Sequence, residues 1–400
     1  MAQSSTTAAA DPVNVAITRY DKSLQAIQST SWALPVSPAS LVGVEVLASG
    51  ELWALVREGK TLTGPLRILR RGANGAAAGE ATVDLGTETV LGWRAVAGAS
   101  LILVTTRDLW HVSPADGRII AKRALTAGAA PTPVEGAASE HGAWLRYRDR
   151  LEYVALDGGG SVRYPLPAYD ISKAPPVTDD APKSQGVVAD AILVNRAGVC
   201  FLVENVGREY QVKGSWRPEG TTQLALTTID PHGKRLGQNL FGTVKARREW
   251  FWKEYRTGRA LVPDMGVVRT HYDGLATLSG IVESGDGVVL VVSSRRVGLD
   301  AAAGIRWQQP VERYQTLNPI VGTQGKGGLL FLAHVPWRLE LFDDQGSSIR
   351  RVSVPANGGL IDSTQGAALG ETSNGDWIMV TYPFTFEGSA RQLRWRAASP

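Results

Sequence analysis

The fifteen residues Lys245 to Arg259, KARREWFWKEYRTGR, hold six basic and four aromatic side chains. Aromatic rings and guanidiniums are the usual anchors of binding surfaces, because they bury much area while freezing few torsions. In an extended segment the alternation sets Trp250 and Trp252 on one face. The expected contacts are Arg247, Arg248, Trp250, Trp252, Tyr255 and Arg256. A second stretch, Arg208 to Arg217, repeats the mixture with Tyr210, Trp216 and Arg217. Such a surface suits an acidic protein, a glycan stacked on the rings, or single-stranded nucleic acid held by base stacking. The plainer alternative is a decorated strand with solvated flanking charge. The net charge of +4 over 400 residues makes nucleic acid the weakest of the three partners.

Signatures of catalysis are missing from the sequence. It has no G-x-S-x-G elbow, P-loop, H-E-x-x-H, C-x-x-C or EF-hand loop. The histidines His111, His141, His232, His271 and His334 are scattered through different segments, and each reads as an ordinary strand or turn residue. Asp179-Asp180 and Asp343-Asp344 read as solvated turns rather than an acid–base pair. Cys200, the only cysteine, sits in the apolar run Val199 to Leu202 and reads as a buried core thiol. A lone cysteine excludes a disulfide framework and a cysteine-based zinc site. No cofactor or metal is expected, and the candidate residues are assigned to partner binding.

The elements that position these residues are strands. Asn318 to Pro355 reads as four in succession: Pro319 to Thr323, the apolar run Leu329 to Val335, the alternating Arg338 to Leu341, and Arg351 to Val354 after the turn Asp343-Asp344-Gln345-Gly346. Four antiparallel strands with the second most apolar describe one blade of a β-propeller. Degraded copies recur. Val44 to Leu85, Ala95 to Ala124, Ala143 to Leu166 and Ala191 to Leu240 each supply a unit, the last with an insertion near 207–220 that extends a hairpin. The region 243–311 is least regular, with an insertion near 243–264. There Met265 to Thr270 and Gly304 to Gln308 look like third strands and Val288 to Val292 like a second. Val15 to Ser23 and Leu24 to Ser31 resemble a third and fourth strand, whereas Gly366 to Gly370, Trp377 to Thr381 and Arg391 to Trp395 begin a unit that is never finished. An incomplete first unit and an incomplete last one fit together when a ring builds one blade from both termini, which removes exposed sheet edges.

The expectation is an all-β, seven-bladed β-propeller over residues 13–397, preceded by a disordered tail over 1–12. Eight blades would follow if the irregular region held two, and a pair of sandwiches divided near 173–185 is the competing architecture. Trp53, Trp144, Trp337 and Trp377 lie in or beside strands and are expected to pack between blades.

Val112-Ser113-Pro114-Ala115-Asp116-Gly117-Arg118-Ile119-Ile120 and Ile229-Asp230-Pro231-His232-Gly233-Lys234-Arg235-Leu236 resemble the strand–turn–strand signature of quinoprotein-like propeller repeats. Leu156-Asp157-Gly158 and Phe342-Asp343-Asp344-Gln345-Gly346 are looser copies. The resemblance implies a fold and no quinone cofactor, since the acidic, Asn and Trp set that holds one in the dehydrogenases is not identifiable. The WD dipeptide of another propeller class is also missing; Asp376-Trp377 has the reverse order.

Hydrophobic and charged fractions of 44% and 20% are those of a soluble globular chain. The N-terminus lacks the basic and apolar regions of a secretory signal, no run is long enough to span a bilayer, and there is no Asn-x-Ser/Thr sequon. These point to the cytoplasm. The expected function is a non-enzymatic scaffold that holds a protein partner in a larger assembly. A glycan-binding or glycan-hydrolysing propeller is the alternative, to be favoured if acidic residues converge at the axis.

Overall fold

The computed structural model describes residues 13–34, 41–57, 64–72, 75–96, 100–125, 132–147, 149–166, 184–212, 215–217, 223–241, 278–292, 295–310, 321–326, 328–333, 338–354 and 365–383. Every regular element among them is a β-strand. Strands β1 (Val13–Tyr20) and β2 (Ala26–Leu34) open the chain. Blade 1 is β3 (Leu41–Val46), β4 (Leu52–Arg57), β5 (Leu66–Arg71) and β6 (Ala77–Val83). Blade 2 is β7 (Val90–Val96), β8 (Ser100–Thr105), β9 (Asp108–Val112) and β10 (Ile119–Ala124). Blade 3 is β11 (Glu135–Ala138), β12 (Gly142–Arg146), β13 (Arg150–Ala155) and β14 (Ser161–Pro165). Blade 4 is β15 (Ser184–Val194), β16 (Cys200–Val212), β18 (Gln223–Ile229) and β19 (Arg235–Phe241), with β17 (Ser215–Arg217) paired to the end of β16. Blade 5 is β20 (Leu278–Ser284), β21 (Gly287–Val292), β22 (Arg295–Leu299) and β23 (Ile305–Pro310). Blade 6 is β24 (Val321–Gly325), β25 (Gly328–Ala333), β26 (Arg338–Phe342) and β27 (Ser348–Ser353). The C-terminal strands β28 (Gln365–Glu371) and β29 (Trp377–Pro383) complete blade 7 by pairing β29 with β1, in the order β2-β1-β29-β28.

The seven-bladed, all-β ring closed by both termini is therefore the observed architecture. Two assignments need correction. Ile305–Pro310 is the fourth strand of blade 5, not the third; the third is Arg295–Leu299. Its sequence, RRVGL, hides the pattern because Arg296 is buried: its guanidinium lies 3.4 Å from the Phe342 ring centre and 3.8 Å from Glu340 of blade 6. Blade 3 also has an inner strand, Glu135–Ala138, that the sequence did not signal. EGAA offers no bulky side chain, and the strand is tied by the Glu135–Arg146 ion pair at 2.7 Å. Met265–Thr270, Arg391–Trp395 and Trp337 lie outside the described residues.

The hydrophobic core is divided among the blade junctions rather than pooled. Seven clusters are found among the described residues, one at each junction. Trp53, Trp144 and Trp377 are buried in three of them, and Trp144 Nε1 donates to the Gly198 carbonyl of the next blade at 2.8 Å. Large rings fill the wedge where radiating sheets diverge. Nearer the axis the sheets converge, and small residues stand where neighbouring inner strands come closest. The inner strands of blades 1, 2, 4 and 5 each bulge just before Gly43, Gly92, Ala191 or Gly280. A Cβ on Gly92 would lie 2.1 Å from the Gly136 carbonyl oxygen of blade 3.

Four of the seven outer hairpins share one device. Asp21, Asp230, Asp300 and Asp343 each accept two backbone N–H bonds, from the residues two and four positions on, at 2.8–2.9 Å. The third residue after the Asp has positive φ in each: Leu24, Gly233, Ala303 and Gly346. Asp side chains that satisfy local backbone donors favour such turns. Because the strands alternate in direction, one face of the ring carries the turns within the first and second hairpins of each blade. The opposite face carries the links between those hairpins and between blades.

Candidate interaction surfaces and the ring axis

Blade 4 departs from the others at the linking face. Its strand β16 pairs with β18 only as far as Val206, opposite Gln223, and then continues through Val212. Beyond Val206 its partners are the start of β15, with Ser184 opposite Glu209, and β17, with Tyr210 opposite Arg217 and Gln211 opposite Trp216. Six further residues of extended chain reach about 20 Å past the sheet. Of the sequence candidates, Tyr210, Trp216 and Arg217 are thus brought together on one ribbon. Arg247, Arg248, Trp250, Trp252, Tyr255 and Arg256 lie outside the described residues, in the connection that leaves Phe241 and returns at Leu278 in the adjacent blade.

The axis carries charge that no local pattern announced. Arg94, on the inner strand of blade 2, makes an ion pair with Glu283, on the inner strand of blade 5. Blades 3 and 4 separate them one way around the ring and blades 6, 7 and 1 the other, so the pair spans the central channel. Arg94 also donates to the Val194 carbonyl at 3.1 Å, and Glu283 accepts the Arg196 backbone N–H at 2.9 Å. Asn195 Nδ2 donates to the Asp286 carbonyl at 2.8 Å and ties the same turns. Residues of three blades therefore meet across the turn-bearing end of the channel. The one clue in the sequence is a charge set within an apolar strand, WRA or VES, a placement that requires a partner.

A second buried group sits on the linking face between blades 1 and 2. Arg57 is 1% exposed and donates to the carbonyls of Gly64 at 2.8 Å, Gly86 at 3.0 Å and Glu88. Glu88 turns its carboxylate under blade 2, where it accepts from the Thr105 hydroxyl and from Trp110 Nε1 at 3.5 Å. Burial, then a hydrogen bond shared with Asp108, raises the Glu88 carboxyl above its ordinary range. Lys122 pairs with Asp108 at 2.8 Å and lies 3.8 Å from the centre of the Trp110 ring. Arg57 and Glu88 thus hold the link between two blades, and both are buried.

Other polar residues fill structural places. His111 bonds Ser100 at 2.8 Å, and burial lowers its affinity for a proton. Cys200 is fully buried, which pushes its thiol well above the usual value. His141 and His232 lie in turns, while His271 and His334 are outside the described residues. No group of three or more His, Cys, Asp or Glu able to hold a metal is found among the described residues. No helix there is long and apolar enough to cross a membrane.

The fold and these surfaces define a class, the seven-bladed β-propellers, with a resemblance to quinoprotein-like repeats at the level of fold. Among solved structures the chain is similar to BamB from Moraxella catarrhalis, at 12% identity over 90% of this chain and 89% of that one, with a TM-score of 0.38. It is similar to AztD from Citrobacter koseri at 9% identity, over 86% and 95% of the two chains, with a TM-score of 0.42. The WD40 domain of Neurospora crassa Pan2 is similar at 9% identity over 88% and 91%, with a TM-score of 0.44. These are likenesses of fold alone. No protein-family model and no curated protein matches the sequence.

Proposed function

We propose that this propeller is a non-enzymatic cytoplasmic scaffold that holds an acidic protein partner within a larger assembly. The observation that carries the reading is the blade 4 ribbon, a stretch of paired backbone that adds nothing to the ring and bears Tyr210, Trp216 and Arg217. The neighbouring connection supplies Arg247, Arg248, Trp250, Trp252, Tyr255 and Arg256. Residues 245–259 hold six basic and two acidic side chains, an excess of four that equals the net charge of the whole chain. The rest of the protein is balanced, so the net field that steers an acidic partner comes from this connection. At the axis the acid–base criterion for a glycan hydrolase is not met by Glu283, whose carboxylate is bound by Arg94 and Arg196.

The test is affinity purification from native lysate of the wild type beside two double variants, Trp250→Ala/Trp252→Ala and Trp216→Ala/Arg217→Ala, each confirmed folded by circular dichroism. Stoichiometric partners that both variants lose are expected. Retention of the same partners by both folded variants would overturn the assignment of this surface.

A further inference from the structure

The junction where the chain closes differs from the other blade contacts. Blade 7 there is built from both termini, and a groove opens between it and blade 1 on the turn-bearing face, opposite the ribbon. Its floor is Ile17, Leu52 and Ile378, and its walls carry Arg19 and Arg71. Both guanidiniums are held in place. Nε and one terminal nitrogen of Arg19 donate to Asp376, whose carboxylate also accepts from Asn374 Nδ2 at 3.1 Å. Arg71 donates through Nε to the Gly75 carbonyl and through Nη1 to the Ser31 carbonyl at 3.4 Å, and lies 5.7 Å from the centre of the Trp32 ring. A guanidinium has five N–H donors, so these bonds fix each fork without exhausting it.

We infer that this groove receives a glutamate side chain of an acidic peptide segment. Two arginines line the groove and Asp376 neutralises Arg19, so an added anion is favoured, and preorganised forks bind carboxylates better than a mobile ammonium. The apolar floor suits the methylene stem of glutamate, with the head between the guanidiniums. The site lies on the face opposite the ribbon and stands apart from the partner surface proposed above.

The test is fluorescence anisotropy with a short labelled peptide of alternating Glu and Leu, beside its Gln and Leu counterpart. The wild type is compared with Arg71→Gln, Arg71→Lys, and Arg163→Gln on the outer strand of blade 3, where the side chain is 61% exposed. The Glu peptide is expected to bind the wild type and Arg163→Gln alike and to bind Arg71→Gln at least about tenfold more weakly, a change of about 1.4 kcal/mol. Arg71→Lys, which keeps the charge without the fork, is expected to fall between them and serves as the reading if Arg71→Gln fails to fold. Equal binding of the two peptides, undiminished binding by both Arg71 variants, no binding to wild type at about 1 mM, or full competition by inorganic phosphate would overturn the proposal. A loss in Arg163→Gln equal to that in Arg71→Gln would assign the effect to overall surface charge and overturn the proposal as well.

Discussion

Replacing Arg94 by Met removes the cation that crosses the ring. The side chains of Arg94 and Glu283 are only 9% and 11% exposed, so water replaces little of what is lost. Removing one partner of a buried pair costs about 3–5 kcal/mol, against less than about 1 kcal/mol for a solvated one. The lower end, about 3 kcal/mol, is expected here because the Arg196 N–H still holds Glu283. Glu283→Gln keeps an acceptor for that N–H but leaves the Arg94 guanidinium buried without its counter-charge, so it too is expected to cost about 3 kcal/mol. The double variant then loses less than the sum, with a coupling energy of about 1–2 kcal/mol. The assay is urea unfolding of the four proteins, compared at equal slope in low salt and in about 1 M salt, where exposed pairs are screened within about 3 Å. A coupling below about 0.5 kcal/mol, or one abolished by salt, would refute the argument that the pair is a buried tie across the axis.

Three further outcomes follow from other sites. The Glu88 carboxyl is raised in the fold, so the folded state holds its proton more tightly than the unfolded chain, and this stability is full below about 4.5 and lost as pH climbs through the raised value. Glu88→Gln, which mimics the protonated form, is therefore expected to gain stability relative to wild type as pH rises from acid toward neutral, and an unchanging difference in unfolding midpoint would count against it. Gly92→Ala places a methyl 2.1 Å from the Gly136 carbonyl oxygen and is expected to cost about 3 kcal/mol, whereas Gly160→Ala, with nothing within 4 Å, is expected to change thermal stability by less than about 0.5 kcal/mol. Cys200, buried and with a raised thiol, is expected to resist iodoacetamide in the folded protein and to react once unfolded, as mass spectrometry would read directly.

What could be read from the sequence was what depends on near neighbours. An Asp that binds backbone donors two and four residues on, as Asp230 and Asp343 do, leaves its mark within one turn, and such turns mark four of the seven blades. The incomplete units at the two ends then predicted their own joining. Arg295–Leu299 escaped because Arg296 is buried by a carboxylate in the next blade, and Glu135–Ala138 because small residues near the axis carry no periodic signal. Arg94 and Glu283 are 189 positions apart, and nothing local to either names the other. The same separation gives these charges their meaning. The apolar wedges between blades are chemically alike, so burial alone does not say which blade should sit beside or opposite which. A buried charge is costly until it meets its own partner. Arg94 with Glu283, Arg296 with Glu340, and Arg57 with the link through Gly86 and Glu88 each penalise a misordered ring more than they stabilise the correct one.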